Sequence, residues 1–177
     1  FSLPELIING KLDAYLVQPK NVLLAVLTSS TNTSAIGDLL YGLLVLCIFC
    51  FSPGRLLLFL LFTVTGAVIL TAFSLLLGSL SFCFVRADAF GSHMVNSTIS
   101  FSTYPDGIFK GTARFLIYNL LPVGMAIYRP VHVMMRFDGR TFLAVLGYTV
   151  LLSAAAVFVF YRGLRRYSSS NLMEARM

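Results

Sequence analysis

An all-α, polytopic bundle of membrane helices is the fold the sequence predicts, and three observations predict it. Hydrophobic residues make up 58% of the 177 positions. Charged residues make up 11%, less than half the ~25% usual in soluble domains. Uncharged runs such as 56–85 and 141–161 are long enough to cross a ~30 Å hydrocarbon core at ~1.5 Å per helical residue. The reading is four spans, at about 31–51, 56–84, 88–103 and 141–161, plus a re-entrant helical hairpin at 108–129. Residues 1–20 form an amphipathic segment ahead of the membrane domain (21–162), and 163–177 form a polar tail.

The net charge of +6 is carried by few residues and reads as contact with anionic lipid headgroups. No basic patch interleaved with exposed aromatics points to nucleic acid. Cys47, Cys50 and Cys83 all lie in apolar runs. Cys47 and Cys50 make a C-x-x-C without a neighbouring His or strand, so all three read as small packing residues rather than redox or metal ligands.

In chain order, residues 1–20 alternate apolar positions (Leu3, Leu6, Ile7, Leu12, Leu16, Val17) with Glu5, Lys11, Asp13 and Lys20. The run is too polar to span and lies at the membrane surface. Gly10 and Pro19 are its natural breaks. The chain opens on Phe1 with no charged leader and cleavage site, and the expectation is that its start lies further upstream. The first span follows the uncharged polar cluster 28–34 and carries Asp38, placed near a span end or against other helices because a carboxylate is costly in lipid. Ser52-Pro53-Gly54-Arg55 is a tight turn. The run 56–85 would reach roughly 45 Å as one helix, so it tilts, projects or ends early near Gly78. Small residues four apart (Thr63, Ala67, Thr71, then Ser74, Gly78) let another helix approach.

Span 88–103 is thinly hydrophobic, with His93, Asn96 and several hydroxyls. It crosses only if protein shields it, which makes His93, Ser97, Ser100 and Tyr104 candidate pathway residues. The stretch 104–130 contains Pro105, Pro122 and Pro130. Each lacks an N–H and disfavours helix just before it. Two short apolar pieces, 108–121 and 123–128, joined by a break, suggest a hairpin that walls or gates a pathway, with the three prolines as gate candidates. Residues 131–140 read as a loop, and 141–161 as the cleanest span. On alternating sides, Lys11, Lys20, Arg86, Arg162, Arg165, Arg166 and Arg176 oppose Arg55, Lys110, Arg114, Arg129, Arg136 and Arg140. That balance fixes no orientation, although the compact 162–166 cluster favours a cytoplasmic tail.

Catalytic signatures are missing. The sequence has no G-x-x-x-x-G-K-[ST], no H-E-x-x-H and no G-x-S-x-G. An intramembrane enzyme would have to rest on His93 with Asp88 or Asp106. A channel or secondary-transporter fragment would rest on the hairpin and the polar span.

The order of segments carries a resemblance. It opens on Ile8-Asn9-Gly10-Lys11-Leu12-Asp13-Ala14-Tyr15-Leu16-Val17-Gln18-Pro19. Later come Tyr104-Pro105-Asp106-Gly107-Ile108-Phe109, Leu121-Pro122-Val123 and Tyr128-Arg129-Pro130. Along nearly the whole chain this resembles the permease subunit of ABC-2-type ABC transporters (type V exporter-like), in the bacterial six-helix exporter branch. The resemblance implies six membrane helices, the first two preceding Phe1. It implies a cytoplasmic coupling contact at Gly10, Leu12, Asp13, Leu16 and Pro19, an extracellular re-entrant hairpin and a cytoplasmic tail. It also implies two permease copies or paralogues working with two ABC ATPase subunits in a bacterial inner membrane. ATP and Mg would be bound by the ATPase partner, with no cofactor in this chain. The cargo, exported outward, would be a small amphiphilic or hydrophobic compound.

Overall fold

The structure, a computed structural model, describes residues 3–29, 33–49, 51–82, 87–119, 121–165 and 167. Among these residues every regular element is helical. Cys50, Cys83, Arg86, Arg166, Arg176 and most of the tail lie outside the described residues, as does the side chain of Asp88.

Two long helices form the axis. Helix α5 (Pro53–Ser79) starts after extended Ser52, with Pro53 in its first turn, where the missing N–H has no intrahelical partner to lose. It runs on as a 3-10 turn, Leu80–Phe82. Helix α9 (Gly139–Leu164) is capped by the Asp138 carboxylate, which accepts the N–H of Arg140 at 3.3 Å and of Thr141 at 3.1 Å. Among the described residues, these two helices are long and apolar enough to cross a membrane. They lie parallel. At their N-terminal, or upper, end Phe62 meets Phe142 edge to face with ring centroids 5.9 Å apart. At their C-terminal, or lower, end Ala72 and Leu75 share a core with Ala156 and Phe160. There Gly163 lies directly against the Phe82 ring.

The remaining elements wrap this pair. Helices α1 (Leu3–Ile8) and α2 (Asp13–Leu16) pack under the lower end. Leu3 sits so close to Gly78 that a Cβ there would lie 3.2 Å from its own Cβ. Helix α3 (Val22–Leu27) and helix α4 (Ser34–Phe49) follow. Residues 21–49 thus hold two helical pieces where the sequence suggested one span beginning near 31. Asn21 caps the start of α3. At its end the hydroxyls of Thr28 and Ser29 donate to the carbonyls of Leu24 and Val26 at 2.8 and 2.7 Å. Such side-chain bonds offer the backbone an exit from the helix. Helix α4 touches α5 where Gly42 lies against the Phe59 ring.

Helix α6 (Ala87–Ser102) returns along α5, with Gly91 against Leu77. A 3-10 turn (Asp106–Ile108), helix α7 (Gly111–Asn119), a π-helical turn (Gly124–Tyr128) and helix α8 (Arg129–Met135) complete the upper end. Helix α8 passes through Pro130, where the sequence suggested a loop from 131. The π turn explains this. Arg129 N–H bonds five residues back, to Gly124 O, so the register widens just before the proline. The carbonyl four residues before Pro130, Ala126 O, instead faces Gly66, where a Cβ would lie 3.2 Å from it.

Candidate functional site

Two surfaces draw together the residues singled out in the sequence. The first is the segment 10–20 at the lower end. Gly10 adopts φ +64°, a left-handed conformation that glycine takes without penalty, and this folds α2 back under α1. Leu12 N–H closes the turn on Leu6 O at 2.9 Å. Leu12 is fully buried among Leu3, Ile7 and Phe160. It therefore seats the segment and presents nothing to a partner. Asp13 is half-buried beside Tyr167. Leu16, Val17 and Pro19 face outward, with Leu16 41% and Val17 85% exposed. Lys11 and Lys20 flank them, also exposed. The result is a small apolar knob in a basic rim, held on an apolar seat. Burying a side chain such as Leu12 is worth about 1.5–3 kcal/mol, which fixes the knob to the bundle.

The second surface lies between α6 and the hairpin formed by α7 and α8. His93, Ser97 and Ser100 fall along one side of α6, and Tyr104 lies just beyond its end. His93, Ser100 and Tyr104 are exposed and Ser97 is half-buried. The opposite side, with Gly91 and Thr98, is buried. This leaves a polar stripe facing away from α5 on an otherwise apolar bundle. Pro105 is exposed, but Pro122 and Pro130 are buried, so these two prolines shape the hairpin from inside and do not line its surface.

The hairpin is pinned to α6 by Tyr128. Its hydroxyl donates to Phe101 O at 2.7 Å and lies 3.0 Å from Tyr104 O. Pro105 has no N–H to give Phe101 O, which accepts the Tyr104 N–H at 3.3 Å and takes the Tyr128 hydroxyl as a second, shorter donor. The rings of Tyr118 and Tyr128 meet at a tilt of 37° with centroids 5.9 Å apart. Tyr118 in turn lies so close to Gly124 that a Cβ there would be 2.5 Å from its ring.

An ion-pair cluster closes the mouth of the hairpin. Asp106 receives Arg114 at 3.2 Å and His132 Nε2 at 3.5 Å, and Arg114 also lies 5.4 Å over the Tyr118 ring. Asp106 is therefore paired with His132 and Arg114 rather than with His93, so the constellation weighed for an enzyme does not assemble around it. Sequence reasoning missed His132 and Tyr128. Pro105, which cannot donate to Phe101 O, was a sign that this carbonyl had room for a further donor, although nothing local said which. A groove of about 530 Å³ opens between α4, α5 and α8, lined by Phe49, Arg55, Phe59 and Met134 among others. Among the described residues no group of three or more His, Cys, Asp or Glu is placed to hold a metal.

A family model described as "ABC-2 family transporter protein" matches residues 1–171. No curated protein and no solved structure matches the chain.

Proposed function

Because the chain belongs to the ABC-2 family of transporter proteins, a family of membrane transport components, we propose that it is a permease subunit moving its cargo outward under the power of a separate ABC ATPase. The observation that carries this reading is the exposed Leu16–Val17 knob on a fully buried Leu12 seat. An apolar contact held rigidly on the end of a helical pair transmits force to that pair, while a floppy loop would not. We place that end in the cytoplasm, where the ATPase resides, and the hairpin with its Asp106 cluster on the far side. The polar stripe of His93, Ser97 and Ser100 then faces a second permease copy or paralogue across a wet path, since polar side chains at membrane depth need protein or water around them. The cargo that suits an aromatic-rich, weakly charged lining is a small amphiphilic or hydrophobic compound, and the setting is a bacterial inner membrane. ATP and Mg belong to the partner.

A transmission of this kind requires that the ATPase bind two bundle conformations differently. The test is the double variant Leu16→Glu/Val17→Glu. Both side chains are at the surface, so the bundle should keep its thermal unfolding temperature while the permease no longer retains the ATPase on a tag. Unaltered retention and unaltered ATP hydrolysis in that variant would count against the docking role.

A further inference from the structure

The permease reading makes no use of the groove between α4, α5 and α8. Its volume of about 530 Å³ falls within the ~300–1,000 Å³ of small-molecule sites. Apart from Arg55, every residue lining it is apolar or glycine. Arg55 is exposed. A second hollow of about 550 Å³ lies between the start of α5 and the end of α8, with Ser52, Leu58 and Phe137 in its lining. The two hollows share Arg55, Met134 and Met135. One cation thus stands where an apolar groove meets the end of the bundle.

Depth, packing and charge together identify the occupant. Helix α5 is long and apolar enough to cross a membrane, residues 56–82 carry no charge, and Arg55 sits in its first turn. A charge at the end of a span lies at headgroup level. Phe59, one turn further along, is ~6 Å deeper at ~1.5 Å per residue, so the groove runs from the headgroups into hydrocarbon. Helix α4 makes only slight contact with the rest of the bundle. The space between α4 and α8 denies the side chains across it each other's dispersion contacts, and a hydrocarbon chain restores them. Met134 and Met135 are unbranched and adapt to such a flexible chain. The lining holds a cation and no acid. Arg136, between Met135 and Phe137 in the chain, is exposed and adds the same sign. Asp138, the acid nearest in sequence, is engaged in capping α9.

We propose that this groove binds an anionic phospholipid of the surrounding bilayer, with an acyl chain along Phe49, Phe59 and Met134 and the phosphate on the Arg55 guanidinium. The planar guanidinium fork matches two phosphate oxygens at once. The bound chain fills the space that separates α4 from α8 and so joins α4 to the bundle. This site is separate from the polar stripe on α6. It stands independently of the permease reading and needs only a bilayer around the chain.

The 177 residues contain no tryptophan, so one placed in the groove reports on what touches it. The full chain carrying Phe49→Trp is reconstituted in phosphatidylcholine vesicles, and the fluorescence of the chain without the added tryptophan is subtracted. Phosphatidylglycerol brominated on its acyl chains is introduced at rising mole fraction, and phosphatidylcholine with the same brominated chains serves as the neutral comparison. Bromine quenches tryptophan only on close contact. Half-maximal quenching should come at about five-fold lower mole fraction with the anionic lipid, the size of one Arg–headgroup attraction near a membrane surface. In Arg55→Gln the two lipids should quench alike, and Arg55→Lys should keep part of the preference. Phe158→Trp, exposed on α9, which does not line the groove, should show no preference. Phe59→Trp is a second reporter in the same groove should Phe49→Trp assemble poorly. Equal quenching by the two lipids at the groove, or a preference that survives Arg55→Gln, would overturn the proposal. A groove tryptophan that neither lipid quenches would overturn it as well, because a second copy or another protein segment would then cover the site. No ATPase is present in the assay, so its outcome leaves the permease reading untouched.

Discussion

Replacing Tyr128 by Phe removes the hydroxyl that Phe101 O accepts at 2.7 Å and that lies 3.0 Å from Tyr104 O. Phe101 O keeps the Tyr104 N–H, so the loss is that of one hydrogen bond. Such a bond is worth about 0.5–1.5 kcal/mol. Tyr128→Phe should therefore lower the thermal unfolding temperature in detergent and raise the reactivity of a cysteine introduced at Tyr104. An unchanged melting temperature would mean that the hydroxyl does not pin α6. Tyr167 gives a pH signature. Burial first, and then the neighbouring Asp13 carboxylate, pushes its phenol from 10.0 up to about 12. A phenol with a raised pKa in the folded chain holds its proton after the unfolded chain has lost it. Its contribution is complete below pH 10 and is lost as the pH climbs toward 12. Ultraviolet titration of Tyr167→Phe should lose one late-ionising tyrosine relative to the unmodified chain. At this scale the sequence was only partly legible. Leu12 and Leu16 are both apolar and four residues apart, and their local context does not say that the first faces the chain's own core and the second faces outward. The partnership of Asp106 with His132 spans 26 positions (132 − 106) and depends on the hairpin folding back on itself.

Among the elements, α9 offers a matched comparison. A methyl at Gly163 would land on the Phe82 ring, whereas one at Gly147 meets nothing within 4 Å. Gly163→Ala should destabilise the bundle by about 1–3 kcal/mol through overpacking. Gly147→Ala, in the same helix, should be neutral or slightly stabilising, because alanine is the better helix former. Thermal unfolding of the two variants separates the effects, and equal shifts would show that α5 and α9 are not held at the lower end as described. The long helices were legible because uncharged runs such as 56–82 and 141–161 leave little alternative. The polar cluster at 28–34 marked the start of the span that holds α4, but the run before it, 22–27, did not read as a helix of its own. Pro130 misled in the other direction. It reads as a helix end, but the π turn ahead of it widens the register and lets α8 continue to Met135.

At the scale of the whole molecule, the parallel pair of α5 and α9 joins two different ends. The lower end carries an apolar knob seated on the pair by Leu12. The upper end carries a hairpin fastened by Tyr128 and the Asp106 cluster. The all-helical membrane class and the ABC-2 family were legible from composition and from the order of segments. The contact between the start of α3 and α9 was not, since Asn21 and Tyr161 lie 140 positions apart. The claim that most needs testing is that this chain works with a separate ATPase. The direct measurement is to co-express the complete open reading frame with an ABC ATPase encoded beside it, recover the permease by a tag from solubilised membranes, and assay the eluate for ATP hydrolysis. The account predicts a stable complex whose hydrolysis depends on both proteins and whose assembly fails in Leu16→Glu/Val17→Glu. A permease recovered alone, with no ATPase retained and no hydrolysis, would contradict it.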